Sequence, residues 1–260
     1  MSGKSSGKKK PQDKKQPEKA PKAPQGGFGI GIGEMFLAGV RGFLPNAIIM
    51  TLAGLPVLGL FAVLSRPFTN FQSELEELEA VGVLDALIWV GLLMVAAIPA
   101  GIVAAPWFKY ALDIVDEKEI NVMAPLVDFP KLLHHAFATF WFWAGIAFGL
   151  RYLRGIPSIL VILLYAFYAY VIADGKEING LKALGTSVRL SAGKRIGLFA
   201  IAGIFFMFNI VGVLGLGVGL EDGSPSVLGI ALGIIGLSAT ASVTLISGAA
   251  IFRVLEENLT

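Results

Sequence analysis

Six long apolar stretches separated by short polar ones dominate the chain, over roughly residues 43–64, 84–112, 135–150, 156–173, 196–219 and 227–252. Ile196–Leu220 and Val227–Phe252 carry no charged residue. A run of about 18 or more apolar residues is long enough to cross a hydrocarbon core. Inside lipid every backbone polar group must be satisfied within its own segment, so these stretches predict helices rather than strands. The expected fold is all-α: a polytopic helical membrane protein with about six transmembrane helices.

Two connecting segments have helical periodicity of their own. In "NFQSELEELEAVGVL" Phe71, Leu75, Leu78 and Val81 share one stripe, with four Glu off it. In "GLKALGTSVRLSAGK" Leu181, Leu184 and Val188 share a stripe, with Lys182 and Arg189 off it. Amphipathic helices of this kind lie along a membrane surface. The acidic one also reads as a docking face for another subunit.

The polar punctuation repeats. "DIVDEKEIN" ends at Asn121 and "VIADGKEIN" at Asn179, each after an apolar run. Aligned without a gap, 98–121 and 156–179 agree at 11 of 24 positions, including Pro99/Pro157, Tyr110/Tyr168, Asp116/Asp174, Lys118/Lys176 and Asn121/Asn179. The register persists downstream, where "AGIAF" at 144–148 faces "AGIFF" at 202–206. The pattern predicts an internal duplication with copies at 98–150 and 156–208. Each copy is a helical hairpin of the same orientation, a parallel repeat about an axis along the membrane normal. Asp116 and Asp174 sit where an Asp bonds nearby backbone and caps a following helix; the alternative reading is a paired contact site for a cytoplasmic partner.

Charge placement orients the chain. With the N-terminus inside, 18 of the 21 Lys and Arg fall on the cytoplasmic side; only Arg66, Arg151 and Arg154 fall outside, among Glu74, Glu76, Glu77, Glu79, Glu221 and Asp222. Basic residues stay inside, so both termini are expected in the cytoplasm, the membrane being the bacterial inner membrane. Eight of the basic residues lie in the first 22 positions, in a Lys/Pro/Gln/Ser tract without aromatics. Residues 1–27 are therefore expected to form a disordered arm, followed by a six-helix transmembrane domain over 28–260. Lys8, Lys9, Lys10, Lys14 and Lys15 read as a contact for anionic lipid or an acidic partner. Nothing points to a specific nucleic acid.

Chemistry-bearing residues are few. Cysteine is absent, which excludes disulfides and thiolate metal sites. His134 and His135 are the two histidines. Neighbours on a helix point about 100° apart and cannot clamp one metal. They read as residues at headgroup level, with axial ligation of a haem or pigment as the weak alternative. Lys109 and Asp113, four apart, are placed to pair, and Asp85 lies near the outer end of the same helix. Asn46 and Asn209 suit bonds between helices. Gly215, Gly219, Gly229 and Gly233, with the small residues Ser238, Ala241, Thr244 and Gly248, read as close-packing faces. No nucleophile triad, P-loop or metal cluster stands out, so no enzyme activity and no cofactor are expected.

The second copy resembles a widespread family of bacterial membrane proteins that includes the membrane domain joined to some glycerophosphodiester phosphodiesterases. The resemblance rests on Ile156-Pro157, Tyr170, Asp174, Ala183-Leu184, Ser187 and Gly193-Lys194. It covers about 100 residues from Ile156 on. It implies a six-helix membrane domain and carries no phosphodiesterase with it. The first copy departs from the pattern, with "MAPLVDFPK" after its polar turn. Together these features lead to the expectation of a non-catalytic scaffold or accessory subunit, surrounded by membrane lipids and other membrane protein subunits. The alternative is a small carrier or lipid-handling protein built on the repeat. A polar cavity between the copies would mark a carrier, and a dry interior a scaffold.

Overall fold

The computed structural model describes residues 31–77, 83–153, 155–217 and 226–259, and these are helical with no strand among them. The basic arm with Lys8, Lys9, Lys10, Lys14 and Lys15 lies outside the described residues, as do Glu79, Gly219, Glu221 and Asp222. The helices are α1 (Ile32–Glu77), α2 (Val83–Val115), α3 (Ala124–Val127), α4 (Phe129–Tyr152), α5 (Ile156–Tyr165), α6 (Tyr168–Asp174), α7 (Gly180–Ser191), α8 (Arg195–Val213) and α9 (Val227–Glu257). A 3-10 turn over Leu214–Gly217 extends α8.

Five segments are long and apolar enough to cross a membrane: Ile32–Leu60, Val95–Val115, Ile156–Asp174, Arg195–Val213 and Val227–Glu257. The sixth expected span, 135–150, lies inside α4, which falls short on composition rather than length. Its 24 residues rise about 36 Å at 1.5 Å each, but Lys131, His134, His135 and the two Trp dilute its hydropathy. A second expectation changes at α1. The separate surface helix expected near Phe71 is instead a continuation of α1, which runs unbroken to Glu77.

The last helix is the centre of the bundle. α9 packs along α1 and α8 and touches α2 and α7. Its small polar residues bond to neighbouring backbone: Ser238 Oγ donates to the Thr51 carbonyl (2.7 Å) and Ser242 Oγ to the Met50 carbonyl (3.1 Å). Trp107 of α2 donates its indole N–H to Ser242 Oγ at 3.1 Å. Between α8 and α9 the backbones of Gly212 and Gly236 meet so closely that a Cβ on either would collide with the other helix. Small residues at such crossings let helices gain van der Waals contact that lipid cannot supply.

Where the membrane span 156–174 passes the bundle it is broken. α5 ends at Tyr165 and α6 begins at Tyr168. Ser187 of α7 repairs the break: its hydroxyl donates to the Leu164 carbonyl (2.9 Å) and accepts from the Phe167 N–H (3.0 Å). α7 is thus amphipathic as expected, but its Ala183, Leu184, Ser187 and Leu190 are buried against protein, while Leu181 is exposed.

Candidate functional site

The two polar turns are built alike. After α2 the chain reverses through Glu117 at φ 55°, and after α6 through Gly175 at φ 83°. Glu117 N–H bonds the Ile114 carbonyl (3.2 Å) and Gly175 N–H the Ile172 carbonyl (3.0 Å). Asn121 Oδ1 then accepts from the N–H groups of Met123 and Ala124, both at 3.1 Å. Asn179 Oδ1 accepts from Leu181 (3.1 Å) and Lys182 (3.2 Å). The cap expected of Asp174 is therefore carried by Asn179, whose side-chain oxygen satisfies free N–H groups of the first turn of α7, while Asn121 makes the matching bonds three residues before α3 begins.

The aspartates have another partner. Asp116 and Asp174 both point at Arg253, near the end of α9. Arg253 grips Asp116 through two parallel bonds, Nε to Oδ1 at 2.8 Å and Nη2 to Oδ2 at 2.6 Å. The same Nη2 reaches Asp174 Oδ1 at 2.6 Å, and Nη1 reaches Glu256 at 2.9 Å. Lys118 pairs with Asp116 at 2.8 Å, and Lys176 with Glu256 at 2.6 Å and with Asp174 at 3.5 Å. Three cations thus meet three carboxylates. A forked guanidinium on a carboxylate is among the stronger charge-assisted contacts. Burial opposes ionisation of Asp116, but the bonds from Arg253 and Lys118 outweigh it and hold its carboxyl below the usual range. The Asp116 bond raises the Lys118 ammonium, and the Glu256 bond raises that of Lys176.

A cavity of about 530 Å³ opens between residues of 98–150 and 156–208, with α1 and α9 alongside. It is lined by Trp107 and Phe108 of α2, Phe142 of α4, Tyr168 and Tyr170 of α6 and Phe205 of α8, with residues of α9; Phe108 meets Tyr170 and Phe142 meets Tyr168 edge on or tilted, at 5.1 and 5.4 Å. The lining is overwhelmingly apolar and aromatic. The volume lies within the range of ligand pockets, about 300–1,000 Å³.

The histidines diverge, as their spacing requires. His134 is half-buried and faces a groove beside Phe137 and Leu181. His135 is 1 % exposed and is enclosed by protein. The close approach of α2 and α4 at Gly101, where a Cβ would strike Ala136 and Thr139, brings its ring into the core. Its Nδ1 bonds the Gly101 carbonyl at 2.8 Å, and its ring lies between those of Phe108 and Tyr168, 5.6 and 5.8 Å away. It stands in the wall shared by the large cavity and a smaller one of about 160 Å³ beside Lys109, Asp128 and Lys131. Among the described residues no group of three or more His, Asp or Glu is arranged to hold a metal.

Of the other predicted residues, Lys109 and Asp113 pair. Asn209 bonds across to Thr244 of α9 at 2.9 Å, whereas Asn46 bonds only the Gly42 carbonyl of its own helix, at 2.9 Å. Gly215 abuts Leu232 and Gly233, and Gly229 is buried on the same helix. The sequence reading missed Arg253 as the partner of both aspartates. Its signal was a lone arginine ending 26 uncharged residues, Val227–Phe252. Compared with protein-family models, with curated proteins and with solved structures, the chain matches none.

Proposed function

We propose that the chain is a non-catalytic lipid-handling protein of the bacterial inner membrane, which holds an apolar ligand between two duplicated hairpins. The observation that carries this reading is the cavity of about 530 Å³, lined from residues of both 98–150 and 156–208. A dry interior was expected of a scaffold and a polar cavity of a carrier; the interior is dry, as for a scaffold, but it encloses an apolar, aromatic chamber, and that chamber suits a lipid-like occupant. It ranks above the scaffold role for that reason.

The duplication itself draws support from the matched turns: the same positive-φ position, the same N–H to carbonyl bond and the same Asn cap recur 58 residues apart. In this reading α4 is the sixth span, its Trp141 and Trp143 facing lipid, and both termini are cytoplasmic. The basic arm adds salt-sensitive attraction to anionic headgroups. The resemblance to membrane domains joined to glycerophosphodiester phosphodiesterases agrees with six spans.

The test is to purify the chain in mild detergent and identify the lipids that come with it, beside Ala241→Phe, which fills the chamber. Wild type is expected to retain a lipid that the variant lacks, at matched unfolding midpoints. The same lipid complement in both would sink the proposal. Reporter fusions at Glu77 and after Asn121 test the topology, with opposite sides of the membrane expected.

A further inference from the structure

Most of the polar groups in the cavity wall share one property: their hydrogens are already used. Thr139 donates to the His135 carbonyl at 2.8 Å, so Tyr168, 2.9 Å from Thr139 Oγ1, donates to it. Tyr170 donates to the Leu245 carbonyl at 2.8 Å and Trp107 to Ser242 at 3.1 Å. Asn209 spends both amide hydrogens, on the Phe205 carbonyl (2.8 Å) and on Thr244 Oγ1 (2.9 Å). Thr244 in turn donates to the Thr240 carbonyl at 3.1 Å. The half-buried Tyr165, which also lines the cavity, is the exception.

Two buried atoms are left, and both are acceptors. Asn209 Oδ1 has no hydrogen-bond partner, nor has His135 Nε2. A carbonyl can only accept, so the proton of His135 sits on Nδ1 facing Gly101, and in the neutral ring Nε2 is a bare lone pair. Buried polar atoms without partners are rare and costly, and each calls for an occupant.

We propose that the cavity selects an apolar alcohol, a long-chain or isoprenoid molecule whose hydroxyl donates to Asn209 Oδ1 or His135 Nε2. This rests on the ligand-holding reading above and gives it a ligand class. Aromatic walls take the hydrocarbon, and lone pairs without hydrogens demand a donor. At these two atoms a carboxylate or a quinone brings only acceptors and would set lone pair against lone pair. The selection has the form of a site built to bond a hydroxyl, which rejects the analogue lacking it.

The experiment is equilibrium binding of radiolabelled dodecanol to the full chain in phosphatidylcholine nanodiscs, competed by unlabelled dodecanol, its methyl ether and dodecane. The alcohol is expected to compete at about tenfold lower concentration than the ether or the alkane, the effect of one buried hydrogen bond. Asn209→Leu and His135→Phe are each expected to shrink that ratio, measured as alcohol against ether within the same variant. If all three compounds compete equally, or if both variants keep the full ratio, the donor requirement is wrong although the cavity still binds lipid. If dodecanol does not bind at all, this inference and the ligand-holding reading fall together. Should a variant fail to fold, the three-compound comparison on the wild type decides alone.

Discussion

Asp116–Asn121 and Asp174–Asn179 spell nearly the same six residues and fold into nearly the same turn, yet the chain on either side of them behaves differently. Upstream of the first, α2 runs unbroken from Val83 through Pro99 and Pro106 to Val115. Upstream of the second, the span parts between α5 and α6. Downstream, the first cap starts a helix of 4 residues and the second a helix of 12. The downstream difference has a local cause. Pro125 and Pro130 each take a first-turn position, where the missing N–H costs nothing, so α3 ends and α4 begins almost at once. The second copy has no proline there and runs on to the Gly193 turn at φ 73°. The longer α7 then places Ser187 on the break between α5 and α6, where the first copy has Phe129. A shared turn therefore does not impose a shared hairpin; the residues just after it decide what the turn holds up.

The largest effect is expected where the two turns meet. Arg253→Met removes the cation shared by Asp116 and Asp174 and leaves them only the more exposed Lys118 and Lys176. Breaking a buried ion pair costs about 3–5 kcal/mol; with Asp116 and Asp174 side chains 15 % and 11 % exposed, about 2–4 kcal/mol is expected. Denaturant unfolding in mild detergent measures it. Arg253→Lys should recover only part, since an ammonium cannot fork onto Asp116. A midpoint unchanged in Arg253→Met would mean that the turns stand independently.

Ser187→Ala separates the copies, because it strips the bridge from the second alone. Leaving the Phe167 N–H and a Leu164 lone pair without it should cost about 1–3 kcal/mol, with hydrogen exchange rising first around Phe167. Equal exchange in variant and wild type would show that the break needs no bridge.

The pH response bears on the first turn. The folded-state pKa of Asp116 is held below its ordinary value of 3.8. The stability it contributes is then fully present above that value and is lost as pH falls through the lower folded-state pKa. The unfolding midpoint should drop on acidification below about pH 4, and Asp116→Asn should flatten that part of the curve. A curve equally steep in the variant would place the acid sensitivity elsewhere.

Removing each cap compares the turns directly. Asn179→Ala should cost about 1 kcal/mol and Asn121→Ala less, since the former caps the longer helix. The reverse order would mean that α3 matters more than its length. The smallest effect is at the positive-φ position. Glu117→Gly should stabilise by about 0.5–1 kcal/mol and Gly175→Ala destabilise by a similar amount. Any loss of stability in Glu117→Gly would show that the Glu side chain has a role beyond the turn.

Much of this is written locally. The apolar runs set the helices, and Asn two or three residues before free N–H groups sets a cap. The Lys109–Asp113 pair and the divergence of His134 from His135 follow from helix periodicity. These depend on residues within about a turn of one another, where spacing translates into distance. The hydropathy pattern missed the full length of α1 and overestimated α4 as an apolar span, because composition blurs where polar and aromatic residues mix.

Other features had to wait for the packed chain. Arg253 reaches Asp116 across 137 residues and Asp174 across 79, and nothing local to any of the three announces the others. Whether a histidine in an aromatic helix meets headgroups or the core depends on how near a second helix can come, and that was decided by Gly101 against Ala136. The bare lone pairs of His135 and Asn209 depend on which neighbours took their hydrogens. Periodicity tells which face of a helix is buried; which atoms stay unsatisfied on that face depends on what it is buried against.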